Sequence, residues 1–283
     1  MENKIYITLD FEEDYGSPGE EKTYFCHEKS KELIEFVKQN DLKITLFITG
    51  EITEKYKHLL TPYLNEASYF QFEQHAYNHE DVFGSIERKL ENIKKGLASY
   101  EAFFSRKPQI YRAPFGMISQ KEIELLIQSG ITYGSNFFPS YFPGRFNNLH
   151  IPTDIFKYQN SHFVEIPFSV ASRFRLPIAV SYMQLLGFDL YKKFLTNLSP
   201  TINFNLHLHD LFPESAFHRA NLTIPQKIAY YKASRKGYAF SIFKQAITFF
   251  KEKGYTFELF SDLIKTIDTI SIKEKTFDEI FKK

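Results

Sequence analysis

Short apolar segments alternate along this chain with longer segments in which apolar residues recur at helical spacing. Between Ile86 and Phe104 the apolar residues return at three- and four-residue steps, which predicts an amphipathic helix. Helices are also predicted at 28–39, from Ser119 to Gly130, and at 238–253. The apolar segments predict strands at 4–10, 42–48, 68–73, 109–112, 131–135, 162–168, 201–208 and 255–259. Strand and helix repeated in this way predict an α/β fold with a parallel sheet and right-handed crossovers.

Residues at helix ends support three of these boundaries. Ser119 and Glu122 have the spacing of a capping box, in which each side chain bonds the backbone N–H of the other residue. Gly130 and Gly254 follow the ends of their helices, where glycine adopts the left-handed conformation that ends a helix. No internal repeat, low-complexity run or linker interrupts the 283 residues, so a single domain is predicted.

Composition narrows the class of protein. Hydrophobic residues make up 43% of the chain, enough for a large core, and 35 basic against 34 acidic residues argue against a broad nucleic-acid-binding face. Cys26 is the single cysteine, so no intramolecular disulfide can form. The sequence shows no secretory leader and no apolar run of the ~20 residues that a membrane helix needs, so we expect a cytoplasmic protein. The sequence does not indicate the oligomeric state.

Four carboxylates crowd the end of the first predicted strand, between Asp10 and Asp14. Because like charges this close repel one another, a cation or an arginine is the favoured reason for keeping them together. For Glu12 and Glu13 a solvated acidic turn is an equal alternative. For Asp10, at the end of an apolar strand, function is favoured.

Two histidines, His75 and His79, stand four residues apart after the third predicted strand. At the start of a predicted helix this spacing would place both imidazoles on one side of a single turn. Such a pair suits a divalent cation in a catalytic site, where the protein supplies three ligands and leaves a position for water. The same spacing, taken alone, also occurs by chance on helix surfaces.

Two further polar clusters lie at predicted strand ends. Arg112 follows a short strand and could clamp a carboxylate, although a surface turn before the next helix is an equal alternative. Along 201–208, alternation places His207 and His209 on the same face. His209, at the strand end, is the catalytic candidate, and His207 is interpreted as structural. If the strand continued, Asp210 would point to the opposite face.

Taken together and in this order, these clusters resemble the motifs of polysaccharide deacetylases with NodB homology, the fourth carbohydrate esterase family. The family motifs are an Asp-rich strand end, His-(Ser/Thr)-x-x-His, Arg-x-Pro-(Phe/Tyr) and Leu-x-Leu-His-Asp. Here they read from Asp10 to Asp14, from His75 to His79, from Arg112 to Phe115, and from Leu206 to Asp210. The likeness is greatest to the bacterial subgroup whose first motif is Asp-x-Glu-Asp, and it spans residues 4 to about 265.

The resemblance implies a distorted (β/α) barrel of about seven parallel strands, and hydrolysis of an N-acetyl group on an amino sugar. It implies one divalent cation bound by Asp14, His75 and His79, with zinc favoured over cobalt, nickel or manganese. Glu12 is the alternative carboxylate ligand.

The same resemblance assigns the reaction chemistry. Asp10 would be the general base, Arg112 would hold it ionised, and His209 would protonate the departing amine. The substrate, an N-acetylated sugar or glycan, would contact Pro114, Phe115, Tyr133, Phe138 and Leu208.

The chain departs from the family pattern in several places. Ala76 stands where the family has Ser or Thr, and the chain has no Trp. Gly134 stands where relatives have an Asp that orients the acidic histidine. The apolar segment 176–187 replaces a glycine-rich segment of the subgroup. Residues that could replace the missing carboxylate are Asp154, Glu165 and Asp189.

Alternatives follow from these departures. The protein could be a related hydrolase of a non-sugar amide, or a sugar-binding descendant without activity. The segment 270–283 could form an amphipathic helix for an oligomer or a membrane surface, although packing on its own domain is favoured. The aromatic residues at 137–142 could stack on a sugar or pack in the core.

Overall fold

A computed structural model describes residues 2–14, 22–142, 146–213, 237–267 and 271–281. The chain forms two compact units that are interleaved in sequence. Unit 1 comprises Met1–Thr45, Thr61–Phe70 and Ala171–Leu259, and unit 2 comprises Leu46–Leu60, Gln71–Val170 and Phe260–Lys283. The prediction of a single domain stays a prediction.

The helices lie close to the amphipathic segments of the sequence. In chain order they are α1 Ser30–Gln39, α2 Gly50–Lys55, α3 Thr61–Leu64, α4 Ile86–Phe104, α5 Gln120–Gln128, α6 Val180–Leu186, α7 Phe188–Tyr191, α8 Leu208–Leu211, α9 Tyr238–Glu252, α10 Phe260–Ile267 and α11 Phe277–Ile280. The predicted capping box of Ser119 and Glu122 is present at the start of α5. No helix among the described residues is long and apolar enough to cross a bilayer.

Apart from β1, the strands that the apolar segments predict are shorter than those segments, and further short strands lie between them. In chain order they are β1 Lys4–Phe11, β2 Ile44–Ile48, β3 Phe70–Gln74, β4 Ile110–Tyr111, β5 Tyr133–Gly134, β6 Tyr141–Phe142, β7 Phe146–Asn147, β8 Phe156–Tyr158, β9 Val164–Glu165, β10 Val170–Ala171, β11 Leu176–Pro177, β12 Thr201–His207, β13 Thr256–Phe257 and β14 Lys273–Lys275.

Unit 1 is built on the parallel pair β1 and β12. The register runs from Lys4 opposite Thr201 to Asp10 opposite His207, and β13 also pairs with β1 in parallel. Both long strands are almost continuously buried, as expected for parallel strands covered on both faces. This register brings the carboxyl ends of β1 and β12 together, so Asp10 and His207 lie side by side.

Unit 2 contains a run of parallel pairings, β3 with β4, β4 with β5, and β5 with β9. The strand β8 then pairs with β9 in the antiparallel direction and with β14 in parallel. Helices accompany these strands, and the predicted α/β class is confirmed. The cluster that fills this core includes Ile93, Ile123, Leu126, Phe156 and Phe163.

The C-terminal segment packs on its own unit. Instead of one amphipathic helix from 270 to 283, the described residues form β14 and the short helix α11. Pairing of β14 with β8 uses the first half of the segment, and Phe277, Ile280 and Phe281 pack on the core cluster of unit 2. The prediction that this segment packs on its own domain is confirmed over 271–281.

Candidate active site

The turn that carries the two histidines follows strand β3 in unit 2. The His75 and His79 rings lie 5.2 Å apart, centroid to centroid, and are nearly perpendicular. Nδ1 of His75 lies 2.9 Å from the carbonyl oxygen of Arg112. Because a carbonyl oxygen only accepts hydrogen bonds, the proton of a neutral His75 is on Nδ1, and Nε2 is the ring nitrogen that could bind a cation.

The predicted helical turn between these histidines is wrong. Ala76 has a left-handed φ of 54°, and helical structure begins only at Glu80, with a 3-10 turn. The backbone around Ala76 is bonded by other parts of unit 2 and not by a helix of its own. The carbonyl of Ala76 accepts from Gly50 N–H at 2.8 Å, and that of Tyr77 accepts from Glu51 N–H at 3.0 Å.

Helix α4 supports the same turn. The side-chain oxygen of Asn92 accepts from the N–H groups of Tyr77 and Asn78, both at 3.0 Å. Gly96, one turn further along α4, lies so close that a Cβ there would be 2.6 Å from the carbonyl carbon of Ala76. The main chain between His75 and His79 is therefore held against the helix without room for a side chain at position 96.

Arg112 is fully buried in unit 2. Its guanidinium lies between the rings of Phe47 and Phe168, at 3.9 and 4.4 Å from their centroids. It donates to the carbonyl and hydroxyl oxygens of Ser135, at 3.3 and 2.9 Å. A buried cation needs such partners, because desolvation without them is costly. Arg112 is thus held directly after strand β4 by contacts within unit 2.

Glu165 is a buried acid in unit 2. From the sequence it was one of three acids that could replace the carboxylate missing at Gly134. It lies on β9 directly opposite Gly134 on β5. Its carboxylate accepts from the backbone N–H of Asn136 and, at 2.8 Å, from the amide of the same residue. Burial raises the pKa of Glu165 to about 7, although the bonds from Asn136 and the charge of Arg112 oppose this rise. An acid inside the apolar segment 162–168 was the available signal.

In unit 1, His207 is the centre of an acidic cluster. Its Nδ1 lies 3.0 Å from Asp210, and its Nε2 lies 3.5 Å from Asp10 and 3.9 Å from Glu12. Burial by itself lowers the pKa of His207, but the charges of these carboxylates outweigh it and raise the pKa well above 6.5. His207 therefore favours its protonated form more strongly than a free histidine does.

The expectation that Asp210 points away from the histidines is wrong. The chain turns into helix α8 at Leu208, so Asp210 folds back and accepts from the backbone N–H of His207 at 2.9 Å. His209 stacks on His207, with ring centroids 4.6 Å apart. Burial, and then the positive charge of His207, lower the pKa of His209. The two histidines of this motif thus have opposite protonation tendencies.

The two candidate carboxylate ligands have different surroundings in unit 1. Asp14 is buried and accepts from Phe25 N–H at 2.7 Å, Cys26 N–H at 3.0 Å and the Thr23 hydroxyl at 2.9 Å. Burial would raise the pKa of Asp14, but these bonds outweigh it and lower the pKa. The Glu12 carboxylate and the ring nitrogens of His207 and His209 lie within 4.8 Å of one another, a group that could hold a cation.

The predicted substrate residues fall into different environments. Phe115 has a left-handed φ of 58°, and its ring lies 5.2 Å from that of His79. Phe138 stacks on Phe168 at 3.7 Å, so it is part of the packing that encloses Arg112. Within the aromatic segment 137–142, Phe137 is in the core and Tyr141 is exposed. Of the others, Tyr133 is half-buried on β5, while Pro114 and Leu208 are buried.

Among the described contacts, none shows Asp154 or Asp189 in the place of the carboxylate missing at Gly134. Asp189 is on the surface of unit 1 and pairs with Lys192 at 2.8 Å. Asp154 is exposed. The acid that bonds a histidine of the last motif is Asp210, and the acid that lies against Gly134 is Glu165.

Comparison with known proteins shows a family likeness for the first part of the chain. The sequence model of the polysaccharide deacetylase family matches residues 2–134, a segment that carries Asp10, His75, His79 and Arg112. Among curated proteins, none matches the sequence of this chain.

Solved structures share the fold at low sequence identity. A protein described as a polysaccharide deacetylase from Mycobacterium smegmatis has a TM-score of 0.58 and 11% identity, with 96% of this chain and 94% of that chain covered. One from Pseudomonas aeruginosa has a TM-score of 0.57 and 10% identity, with 93% and 89% covered. A family 4 carbohydrate esterase from Bacillus anthracis has a TM-score of 0.50 and 17% identity, with 94% and 84% covered. These likenesses cover nearly the whole chain and establish its fold.

Proposed function

We propose that the protein is a metal-dependent hydrolase that removes N-acetyl groups from an amino sugar or glycan, on the premise that residues 2–134 match the sequence model of the polysaccharide deacetylase family. The observation that carries the proposal is the family match over the segment that holds Asp10, His75, His79 and Arg112. The likeness to the subgroup with a spread first motif stays a prediction. The products would be acetate and the free amino sugar.

The histidine turn fits a divalent cation. The hydrogen bond of His75 Nδ1 to a backbone carbonyl is the arrangement that orients a metal-ligating histidine. Two imidazoles and one carboxylate are the usual ligands of catalytic zinc, which we propose ahead of cobalt, nickel or manganese. Such a cation lowers the pKa of bound water and polarises the acetamide carbonyl.

For the carboxylate ligand we propose Glu12 in place of Asp14. Three donors already bond the Asp14 carboxylate and tie it to the chain at Thr23, Phe25 and Cys26. The Glu12 carboxylate, by contrast, lies in a group of potential ligand atoms with His207 and His209.

The protein residues supply the proton transfers. We propose Asp10 as the general base, with Arg112 to hold it ionised. The motif assigns protonation of the departing amine to His209, whereas the electrostatics of the described residues favour His207. A general acid must be protonated at the working pH, and of these two histidines His207 has a raised pKa whereas His209 has a lowered one. We therefore propose His207 as the residue that carries the proton, with Asp210 holding its ring.

The substrate is proposed to be an N-acetylated sugar whose carrier can be a polymer, a lipid or a nucleotide. Contacts are proposed from Pro114, Phe115, Tyr133, Phe138 and Leu208. Hydrolysis of a non-sugar amide is the second candidate, and it would show as acetate or ammonia release from small amides only. A sugar-binding protein without activity is the third, and it would bind N-acetylated sugars without releasing acetate.

Metal content tests the proposal without an activity assay. After loading with zinc and removal of excess metal, elemental analysis of the wild type should give about one equivalent. The double variant His75→Ala/His79→Ala should give none. The matched control is His58→Ala/His162→Ala, which removes two exposed histidines and should keep the full content. Equal zinc in the wild type and the His75/His79 variant would contradict the metal site.

A further inference from the structure

Glu165 and Gly134 are fitted to one another across two parallel strands. A Cβ at Gly134 would lie 2.5 Å from a carboxylate oxygen of Glu165 and 2.3 Å from the amide nitrogen of Asn136. Both distances are far below van der Waals contact. A side chain at position 134 and the observed position of the Glu165 carboxylate therefore exclude one another. The space next to β5 is occupied by an acid that comes from β9.

The Glu165 carboxylate fixes the orientation of the Asn136 amide. A carboxylate accepts only, so the Asn136 NH₂ group must face it, which it does at 2.8 Å. The amide oxygen is then directed to the backbone N–H of Ala113 at 2.9 Å. If the Asn136 amide were flipped, its oxygen would face the Glu165 carboxylate and its NH₂ group would face the N–H of Ala113, and both contacts would be repulsive. Glu165 thus determines which group Asn136 presents to the residue that follows Arg112.

The segment next to Asn136 holds the guanidinium itself. Ser135 receives both described hydrogen bonds of the Arg112 side chain, and the N–H of Ser135 donates to the carbonyl of Tyr111 at 3.0 Å. The backbone N–H of Asn136 donates to Glu165 as well. Segment 135–136 is therefore hydrogen-bonded to 111–113 on one side and to Glu165 on the other. A shift of the Glu165 carboxylate would move Ser135, which accepts the two described hydrogen bonds of the Arg112 side chain.

We propose that Glu165 is a positioning residue for the reaction, which acts through Asn136 and Ser135 on Arg112, and that Gly134 is present to admit its carboxylate. The inference rests on the proposed function, because Arg112 matters there as the partner of the general base. Glu165 is fully buried, and it accepts two hydrogen bonds from Asn136, which has no other role in the proposed mechanism. The inference gives this buried acid a function. It also explains why a carboxylate is absent at position 134.

Kinetics of four variants test this inference. Glu165→Gln should lower kcat by about 10- to 100-fold, the range that a misplaced catalytic group produces, while KM stays within about twofold. Relocation of the acid gives the sharper result, because Glu165→Ala removes one of the two groups nearest to a Cβ at 134, and the other is the amide at the end of the Asn136 side chain. The kcat of Gly134→Asp/Glu165→Ala should be at least about tenfold higher than that of Gly134→Asn/Glu165→Ala. The Asn variant is the control, because asparagine has the size of aspartate without its charge. Glu165→Ala alone gives the baseline.

Two kinetic outcomes would overturn the inference. One is a kcat of Glu165→Gln within about twofold of the wild type. The other is equal kcat for the Asp and Asn variants at position 134. Thermal unfolding of each variant shows whether it folds, and Glu165→Gln decides the question if the double variants do not.

A readout that needs no activity separates this inference from the proposed function. By NMR, the Nε–H of Arg112 should exchange with water at least about tenfold faster in Glu165→Gln than in the wild type, because its acceptor Ser135 becomes less ordered. An exchange rate of the Arg112 Nε–H that is the same in Glu165→Gln and in the wild type would contradict the positioning role. If the wild type releases no acetate from any substrate, the proposed function fails, and the exchange measurement still decides the role of Glu165.

Discussion

The substitution Gly96→Ala tests whether helix α4 holds the histidine turn in place. The added methyl would lie 2.6 Å from the carbonyl carbon and 2.8 Å from the carbonyl oxygen of Ala76, and 2.7 Å from the amide nitrogen of Gln74. Two of these three atoms belong to backbone, which cannot rotate away as a flexible side chain can. Either the helix or the turn must therefore move by several tenths of an ångström.

Two effects on the free energy of unfolding oppose one another. Alanine in the middle of a helix is favoured over glycine by about 1 kcal/mol. Overpacking against a closely packed backbone costs about 1–3 kcal/mol, and the three contacts within 2.8 Å place Gly96→Ala at the upper end of that range. The net result should be destabilisation by about 1–2 kcal/mol. Zinc affinity should also fall by about 10- to 100-fold, as it does when the support of a metal ligand is removed.

Urea unfolding and zinc titration of the purified variant measure both effects. Lys94→Ala is the control, because it changes an exposed residue of the same helix and should stay within about 0.5 kcal/mol of the wild type. A Gly96→Ala protein that is as stable as the wild type, or more stable, and that binds zinc equally well would refute the close packing of this turn on α4.

Further substitutions test the roles proposed for the acidic and histidine motifs. Asp10→Asn should lower kcat by about 10²–10⁴-fold while thermal stability and zinc content are kept, since it removes a base; a rate within a few-fold of wild type would exclude Asp10 from the mechanism. Glu12→Gln should lose zinc affinity, whereas Asp14→Asn should keep it and lower the free energy of unfolding by about 1–3 kcal/mol through an unsatisfied buried donor; the reverse result would restore Asp14 as the ligand. If His207 is the general acid, the fall of kcat/KM at alkaline pH should have its midpoint above 6.5, and Asp210→Asn should move this midpoint to lower pH because it removes a charge that raises the pKa of His207. A midpoint below 6.5 that Asp210→Asn leaves in place would contradict this.

Local patterns in the sequence predicted the longer helices α1, α4, α5 and α9 and the strands that lie within the apolar segments, but not the short helices and the remaining short strands. Helix α4 lies at the predicted bounds because its apolar spacing, and the Ser85 side chain at its start, are local signals. The capping box of α5 was found from two residues. The order of strands and helices was sufficient for the α/β class.

The details of the candidate site depended on contacts that are distant in sequence. The turn after His75 is not helical because Gly50 and Asn92 bond its backbone, and neither residue is near it in the chain. Asp210 was misplaced because the strand was assumed to continue, whereas α8 begins at Leu208. The position of Glu165 against Gly134 depends on the pairing of β5 with β9, which no local pattern specifies.

Acetate release from N-acetylated sugars is the most direct test of the proposed activity. The wild type, the His75→Ala/His79→Ala variant and the His58→Ala/His162→Ala control would each be assayed on N-acetylglucosamine oligomers and on nucleotide- and lipid-linked N-acetylated sugars, with zinc and with a chelator. The account predicts acetate from at least one substrate with the wild type and the control, and its loss with the chelator and with the His75/His79 variant. Acetate at the same rate from the His75/His79 variant, or none from the zinc-loaded wild type on any of these sugars, would contradict it.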